Sequence, residues 1–224
     1  MLKCSQISLT GDIMVQELIK DLVVNFQIKD KRNRKGFFFV VSGPSGVGKN
    51  TLLNYALERV RGIYYLPSIT TRPMRPGEAQ GFPYFFVSKA DFEAMIAQGA
   101  FLEWKQIHSG DYYGTHLPTI LYALENGYDI ITDMDVLGCV EVMERFPENV
   151  VPIFIAPPNM EELRQRLAGR EKDAGVIARR LERVAMEMSY AGKYRHVIIN
   201  DNLERAGKEL VRILEQYSQS GIKK

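Results

Sequence analysis

A glycine-rich turn between an apolar strand and a helix constrains the fold of this chain more than any other feature. The sequence FFFVVSGPSGVGKNT places Gly43, four further residues, and then Gly48 and Lys49 directly after the apolar run at residues 37–41. Glycines let such a turn curl until successive N–H groups point into one concavity, and the helix N-terminus adds partial positive charge. A lysine at this spacing reaches the β- and γ-phosphates of a nucleoside triphosphate. The turn therefore predicts a triphosphate site made of Gly43, Pro44, Ser45, Gly46, Val47, Gly48, Lys49, Asn50 and Thr51.

The residue after the lysine departs from the usual motif. Serine or threonine normally stands there as a magnesium ligand, whereas this chain has Asn50 followed by Thr51. Thr51 lies about 100° further around a helix, so it does not simply take over the same geometry. Asn50 is therefore our candidate for a contact to magnesium-bound water. The alternative interpretation of the whole turn is a strand-to-helix connection that binds nothing.

Helical and strand patterns alternate along the rest of the chain. Helices are predicted at residues 48–60, 89–98, 118–126, 160–167, 177–191 and 203–217. Strands are predicted at residues 37–41, 128–132, 150–155 and 196–199, with a β-rich section at 64–87. Ser88 and Asp91 form a capping pattern at the start of the second helix, and Gly99 provides its left-handed end. Strands that alternate with helices predict an α/β fold, in which a parallel sheet carries helices on both faces.

Charge and cysteine content indicate which kinds of partner the chain binds and in which compartment it occurs. The chain has 29 basic and 27 acidic residues and a net charge of +2, so no long-range field favours nucleic acid or an anionic membrane. Cys4 and Cys139 lie far apart without a metal-type spacing, which argues against a disulfide framework or a zinc site. No apolar run approaches the ~20 residues that span a bilayer. We therefore expect a cytoplasmic protein that binds neither nucleic acid nor membrane.

Residues 1–35 are interpreted as an N-terminal extension, because the charged stretch DKRNRKG at 30–36 separates them from the first strand. An amphipathic helix in the extension is indicated by the spacing of Ile13, Leu18, Leu22 and Phe26. The extension is either a partner-binding arm or a passive segment, and Met14 is an alternative start. Residues 36–224 form the remaining domain in this prediction.

A second cluster, SITTRPMRPGEAQGFPYFFV, supplies a candidate anion site. Arg72 and Arg75 lie three apart in a segment broken by proline and glycine, which predicts a rigid turn with two guanidinium forks for one phosphate. A surface salt-bridge pair is the alternative. Together with FLEW at 101–104, DYYGT at 111–115 and ITDMD at 131–135, the cluster resembles the guanylate kinase family, over residues 36–217.

The resemblance implies a phosphate-loop kinase that transfers the γ-phosphoryl group of ATP to GMP, giving ADP and GDP, with Mg²⁺ as cofactor. It implies a core at residues 36–66, 116–158 and 176–224, a small mixed β-rich GMP-binding region at 67–115 and a helical lid at about 159–175. GMP would be held by Ser68, Arg72, Arg75, Tyr84, Glu103, Tyr113, Thr115 and Asp135. Asp133 would position Mg²⁺ through water. The partners are then small nucleotides, and the chain is a monomer or a homodimer.

The chemistry of guanine supports one of these assignments. Guanine presents its N1–H and N2–H₂ donors side by side, and one carboxylate accepts both, whereas adenine offers no such pair. Glu103 is the natural candidate for this contact, and the resemblance assigns Thr115 to the base and Asp135 to the exocyclic amine. A surface pair between Glu103 and a lysine is the alternative.

Arginines crowd residues 164–183, where a solvated helix face is the ordinary explanation. In this chain RLAGR and IARRL resemble the two halves of the family's lid, whose arginines close over the nucleotide phosphates. The implied catalytic set is Lys49, Arg72, Arg170 and Arg180.

Two rival functions remain at this point. One is a binding module of the same fold, as in scaffold proteins that bind phosphorylated peptides. Its hallmark would be an eroded phosphate loop, and Lys49 argues against it. The other is a kinase for a different nucleoside monophosphate, which acceptor competition would separate.

Overall fold

Strands and helices alternate through the part of the chain that the computed structural model describes, residues 31–81, 83–107, 109–169 and 173–219. The strands are β1 Phe38–Ser42, β2 Ile63–Tyr65, β3 Ser68–Thr70, β4 Ala79–Gln80, β5 Pro83–Phe86, β6 Phe101–Gln106, β7 Tyr112–His116, β8 Asp129–Asp133, β9 Val150–Ala156 and β10 His196–Ile199. The helices are α1 Lys49–Leu57, α2 Lys89–Ala97, α3 Leu117–Glu125, α4 Val136–Arg145, α5 Met160–Ala168, α6 Ala174–Ser189 and α7 Leu203–Gln219.

The described residues divide into two compact units. The phosphate-loop unit comprises residues 37–63 and 131–219, and the hairpin unit comprises residues 31–36 and 64–130. The boundaries of the core, GMP-binding region and lid given above stay predictions. Within the described residues no helix is both long and apolar enough to cross a membrane.

The phosphate-loop unit is built on parallel strands. Three strands that lie wholly in this unit are neighbours in the order β10-β9-β1. β9 pairs in parallel with β1 on one side, where Phe38 lies opposite Val150, and with β10 on the other. Every residue of β1 and β9 is buried, because a parallel sheet covered by helices excludes water from both faces. This burial explains the uninterrupted apolar runs from which the strands were predicted, and the predicted α/β fold is confirmed.

The hairpin unit contains a second sheet with the order β4-β5-β3-β7-β6. β3 and β6 both pair antiparallel with β7, while β3 pairs in parallel with β5. Behind this sheet the ring of Phe92 stacks on Phe101 at 4.3 Å and on Tyr112 at 5.1 Å between centroids. These buried aromatic contacts hold α2 against the β6–β7 hairpin, which carries several of the predicted site residues.

Helix ends follow the side-chain caps. Ser88 Oγ accepts from the Asp91 N–H at 3.1 Å, and Gly99 has a φ of 66°, so the predicted start and end of α2 are confirmed. α6 begins at Ala174 rather than at residue 177, because Asp173 Oδ1 accepts from the backbone N–H groups of the first turn. α4 was missed altogether. Asp135, which is predicted above only as a ligand, caps this helix and was the available signal for it.

Candidate functional site

The phosphate loop joins β1 to α1 through glycines that no other residue could replace without strain. Gly48 caps α1 in the left-handed conformation with a φ of 96°. Gly43 has a φ of 138°, and a Cβ atom built there would lie 2.2 Å from the Ile155 carbonyl oxygen of β9. Side chains are disfavoured at such φ values and cannot occupy a space already filled by backbone. The two glycines therefore allow the tight turn that the sequence predicted.

The amine of Lys49 lies over this loop. Its Nζ atom donates to the Gly43 carbonyl at 2.7 Å and to the Pro44 carbonyl at 3.2 Å. Among the described residues, the N–H groups of Ser45, Gly46 and Gly48 donate to no backbone carbonyl. A half-buried cation beside unbonded N–H groups at a helix N-terminus is the arrangement that binds phosphate oxygens.

Oxygen atoms for a divalent cation occur beside the loop. Asp133 is the last residue of β8 and is half-buried, and the next residue, Met134, donates its N–H to the Val41 carbonyl of β1 at 3.2 Å. Asn50 and Thr51 are exposed on the first turn of α1. No group of three or more acidic, histidine or cysteine side chains gathers as a metal site in the described part of the chain. Mg²⁺ in kinases is held by one or two carboxylates, phosphates and water, so this small donor set fits it.

Arg72 pairs with a carboxylate outside the predicted site, that of Glu78. Its two terminal nitrogens donate to the two Glu78 oxygens at 2.9 and 2.8 Å, and Nη1 also donates to the Pro73 carbonyl at 2.7 Å. Glu78 accepts in addition from the Arg75 N–H at 2.8 Å. Hydrogen bonding to Glu78 raises the pKa of Arg72, and the same bonds lower the pKa of Glu78. The turn is thereby closed, with Arg72 buried and Arg75 exposed.

Two tyrosines flank the clamped arginine. The ring of Tyr84 meets the ring of Tyr113 edge to face at 5.6 Å, and the Arg72 guanidinium carbon lies 5.4 Å from the Tyr84 ring centroid. Ser68 lies opposite Tyr84 in the β3–β5 register, and Tyr113 lies opposite Thr70 in the β3–β7 register. The hairpin unit thus brings together four of the residues predicted to hold the GMP phosphate, Ser68, Arg72, Tyr84 and Tyr113.

The two residues predicted to hold the guanine base are partners across the β6–β7 hairpin. Glu103 lies opposite Thr115 in the register, and Thr115 Oγ1 donates to Glu103 Oε1 at 2.7 Å. Thr115 is buried and Glu103 is half-buried. The hydroxyl therefore fixes the orientation of the carboxylate.

Asp135 has a structural role besides its predicted contact to the base. Its Oδ1 atom accepts from the Gly138 N–H at 2.9 Å and so caps α4, while Oδ2 lies 3.8 Å from Arg183 Nη2. Arg183 also donates through Nε to Glu187 Oε1 at 2.9 Å. Glu187 is buried, and in the described chain its Oε2 atom makes no hydrogen bond. An ion-pair chain thus links α6 to the N-terminus of α4.

The predicted lid arginines are only partly placed. Arg170 lies outside the described residues, and Arg180 is exposed on α6. A further arginine, Arg166 of α5, donates to the Asn200 carbonyl at 2.9 Å and lies 3.3 Å from Glu162. Its i, i+4 spacing from Glu162 was readable in the sequence, whereas its contact with residue 200 was not.

Comparisons with known proteins agree with this geometry. A family model described as guanylate kinase matches residues 35–217 of the chain. The guanylate kinase of Syntrophomonas wolfei is 43% identical over 183 residues, covering 81% of this chain and 93% of that relative. That of Chromohalobacter salexigens is 46% identical over 177 residues, covering 79% and 81% respectively. The crystal structure of guanylate kinase from Anaplasma phagocytophilum aligns with a TM-score of 0.64 and 31% identity, covering 84% of this chain and 89% of that one.

Proposed function

The chain belongs to the guanylate kinase family, which transfers phosphate from ATP to GMP, and from this premise we propose the residues and the metal that carry out the transfer. It is a nucleoside monophosphate kinase, so the binding-module interpretation is set aside. The observation that carries the proposal is the phosphate loop, in which Lys49 lies over a turn of unbonded N–H groups.

On the donor side, Gly43 to Thr51 bind the phosphates of ATP. Lys49 would exchange its contacts with the loop carbonyls for the β- and γ-phosphate oxygens, where its charge offsets the negative charge that develops during transfer. Asp133 would hold Mg²⁺ through water, and Asn50 would contact the same hydration shell. When bound, Mg²⁺ neutralises charge on the β- and γ-phosphates. Arg170 and Arg180 are proposed to close over the phosphates as a lid.

On the acceptor side, the hairpin unit supplies a guanidinium flanked by tyrosine rings for the phosphate, and a carboxylate for the guanine base. Arg72 and Arg75 bind the GMP phosphate, with Ser68, Tyr84 and Tyr113 completing that subsite. Glu103, oriented by Thr115, accepts from guanine N1–H and N2–H₂, and Asp135 accepts from the exocyclic amine. Because both oxygens of Arg72's partner Glu78 are engaged, the guanidinium is held in one orientation before GMP arrives. Arg72 then aligns the acceptor oxygen for in-line attack.

We place this activity in the cytoplasm, with ATP and GMP as the small-molecule partners and with the chain acting as a monomer or a homodimer. No protein nucleophile is required, because the attacking group is a phosphate oxygen of GMP. Catalysis therefore consists of alignment and charge stabilisation.

The test is a coupled ADP-release assay with ATP and Mg²⁺, in which GMP, AMP, CMP and UMP are offered separately. GMP should be the preferred acceptor, and Lys49→Met should lower kcat by about 10²–10³-fold, the usual effect of losing one transition-state donor. Lys208→Met is the matched control, because this exposed lysine pairs with Glu204 on the surface of α7 and its replacement should leave the rate unchanged. Preference for another acceptor, or a Lys49→Met variant of normal rate, would contradict the proposal.

A further inference from the structure

Asn200 makes three hydrogen bonds that converge behind the phosphate loop. It follows the last residue of β10 and is 8% exposed. Its N–H donates to the Ala156 carbonyl at the end of β9 at 2.8 Å, and its carbonyl accepts from Arg166. Its side-chain Nδ2 atom donates to the Val47 carbonyl at 2.8 Å. All of these residues belong to the phosphate-loop unit, so one buried residue joins the sheet, α5 and the loop.

The bond to Val47 determines how one loop peptide is turned. A trans peptide is planar, and its C=O and N–H groups point in opposite directions. While Asn200 holds the Val47 oxygen, the N–H of Gly48 must therefore point away from Asn200. This N–H donates to no backbone carbonyl in the described part of the chain. A loop that binds phosphate needs its N–H groups directed at the anion and its carbonyls directed elsewhere.

The contact between Asn200 and the loop is close as well as hydrogen-bonded. A Cβ atom built on Gly48 would lie 2.6 Å from Asn200 Nδ2. The absence of a side chain at residue 48 therefore lets the amide approach the backbone directly. Rotation of the Val47–Gly48 peptide would break the hydrogen bond and leave a buried amide donor unsatisfied, which is unfavourable.

We propose that Asn200 is a positioning residue for ATP: by holding the Val47 carbonyl, it keeps the loop N–H groups directed at the triphosphate. Through its own carbonyl the same residue orients the Arg166 guanidinium on α5. The inference rests on the ATP site proposed above, and it adds a residue that lies about 150 positions away from the loop in the sequence. The role assigned to Asn200 is to position the loop, through its bond to Val47.

The test compares Asn200→Asp with Asn202→Asp. The first variant keeps the shape of the side chain but replaces the Nδ2 donor by a carboxylate oxygen, which repels the Val47 carbonyl. The second makes the same charge change at an exposed residue that caps α7, a position where aspartate serves as well as asparagine. Binding of a non-hydrolysable ATP analogue is measured by calorimetry, so the result does not depend on whether GMP is the acceptor.

At pH 8 we expect Asn200→Asp to weaken analogue binding by about 30-fold, as the loss of a buried hydrogen bond implies, and Asn202→Asp to leave it unchanged. Lowering the pH to 6 should restore part of the affinity of Asn200→Asp alone, because burial raises the pKa of a carboxyl and a protonated carboxyl can donate to Val47. A purely packing role would give no such recovery.

Asn200→Ala is the second variant, which should weaken analogue binding at pH 8 and pH 6 alike. Equal affinity of all variants and wild type would overturn the inference, as would a loss in Asn200→Asp that acid does not reverse. If neither residue-200 variant folds, Asn200 is a structural residue and the inference is likewise overturned. Wild-type protein that binds the analogue but does not phosphorylate GMP would contradict the proposed function alone.

Discussion

His116 should make the stability of the protein depend on pH below neutrality. It ends β7 and is completely buried, with Nδ1 at 2.8 Å from Thr119 Oγ1, while Nε2 has no hydrogen-bond partner among the described residues. Burial lowers the pKa of His116 from 6.5 to about 4. In the unfolded chain the imidazole titrates near its ordinary pKa, so below pH 6.5 the unfolded state binds more protons than the folded state. The neutral ring therefore contributes stability above the unfolded pKa, and this contribution is lost as the pH falls towards the folded pKa.

The size of the effect follows from the two pKa values. Between pH 7 and pH 5 the difference in proton binding should remove about 2 kcal/mol from the free energy of unfolding. His116→Gln removes the titrating group, so this variant should lose less stability over the same interval, whatever its stability at pH 7. The measurement is urea unfolding followed by circular dichroism for both proteins at pH 7, 6 and 5.

The loss of stability between pH 7 and pH 5 is compared between wild type and His116→Gln, because other groups titrate in the same range and contribute to both proteins. His196 is half-buried and its pKa is also lowered, chiefly by burial, so it contributes to the pH dependence of both proteins. A His196→Gln variant serves as the control, and it should retain the part of the slope that is due to His116. If wild type and His116→Gln lose equal stability from pH 7 to pH 5, burial of a neutral imidazole does not account for the pH dependence.

Three further predictions follow from the described contacts. Ser88→Ala should lower the free energy of unfolding by about 1 kcal/mol, because the α2 cap is lost; urea unfolding checks this, and no change would contradict it. Glu78→Gln should raise KM for GMP by about tenfold through loss of Arg72 orientation, with KM for ATP unchanged and the exposed Glu93→Gln as control. Glu103→Gln should lower kcat/KM for GMP by about 100-fold without raising kcat/KM for AMP. An unchanged kcat/KM for GMP would show that Glu103 does not bind the base.

Apolar runs and helix caps predicted most of the fold, because each of these signals lies within a few neighbouring residues. The parallel sheet was predicted from the apolar runs that form β1 and β9, and α2 was predicted from the Ser88 cap. The missed helix, α4, shows where this reasoning ends. Asp135 is consistent both with a helix cap and with a ligand, and the resemblance to the family predicted only the ligand. The predicted start of α6 at residue 177 is too late for a similar reason, because the cap that sets its start is Asp173.

Pairings between distant residues could not be predicted in this way. The sequence contained the arginine pair at 72 and 75 and the carboxylate at 103, but not which partner each would have. Thr115 reaches Glu103 only because the β6–β7 register places them opposite each other. Glu78 reaches Arg72 only because the turn between them is closed by the Arg75 N–H. Register and turn closure depend on packing of the whole hairpin unit.

The amino-acid sequence by itself determined that this chain is an α/β protein with a phosphate loop, since glycine spacing, apolar strand runs and helix caps are features of a few neighbouring residues. It also indicated the kind of chemistry, because Lys49, Arg72 and Glu103 carry charges that complement the phosphates and the base of a guanine nucleotide. Only the tertiary structure decided that Asn200 bonds to the Val47 carbonyl, that Glu78 pairs with Arg72 and that His116 is buried with no second hydrogen-bond partner among the described residues. These contacts join chain segments that are distant in sequence and come together only in the folded protein. Residues that are neighbours in the sequence therefore do not predict them.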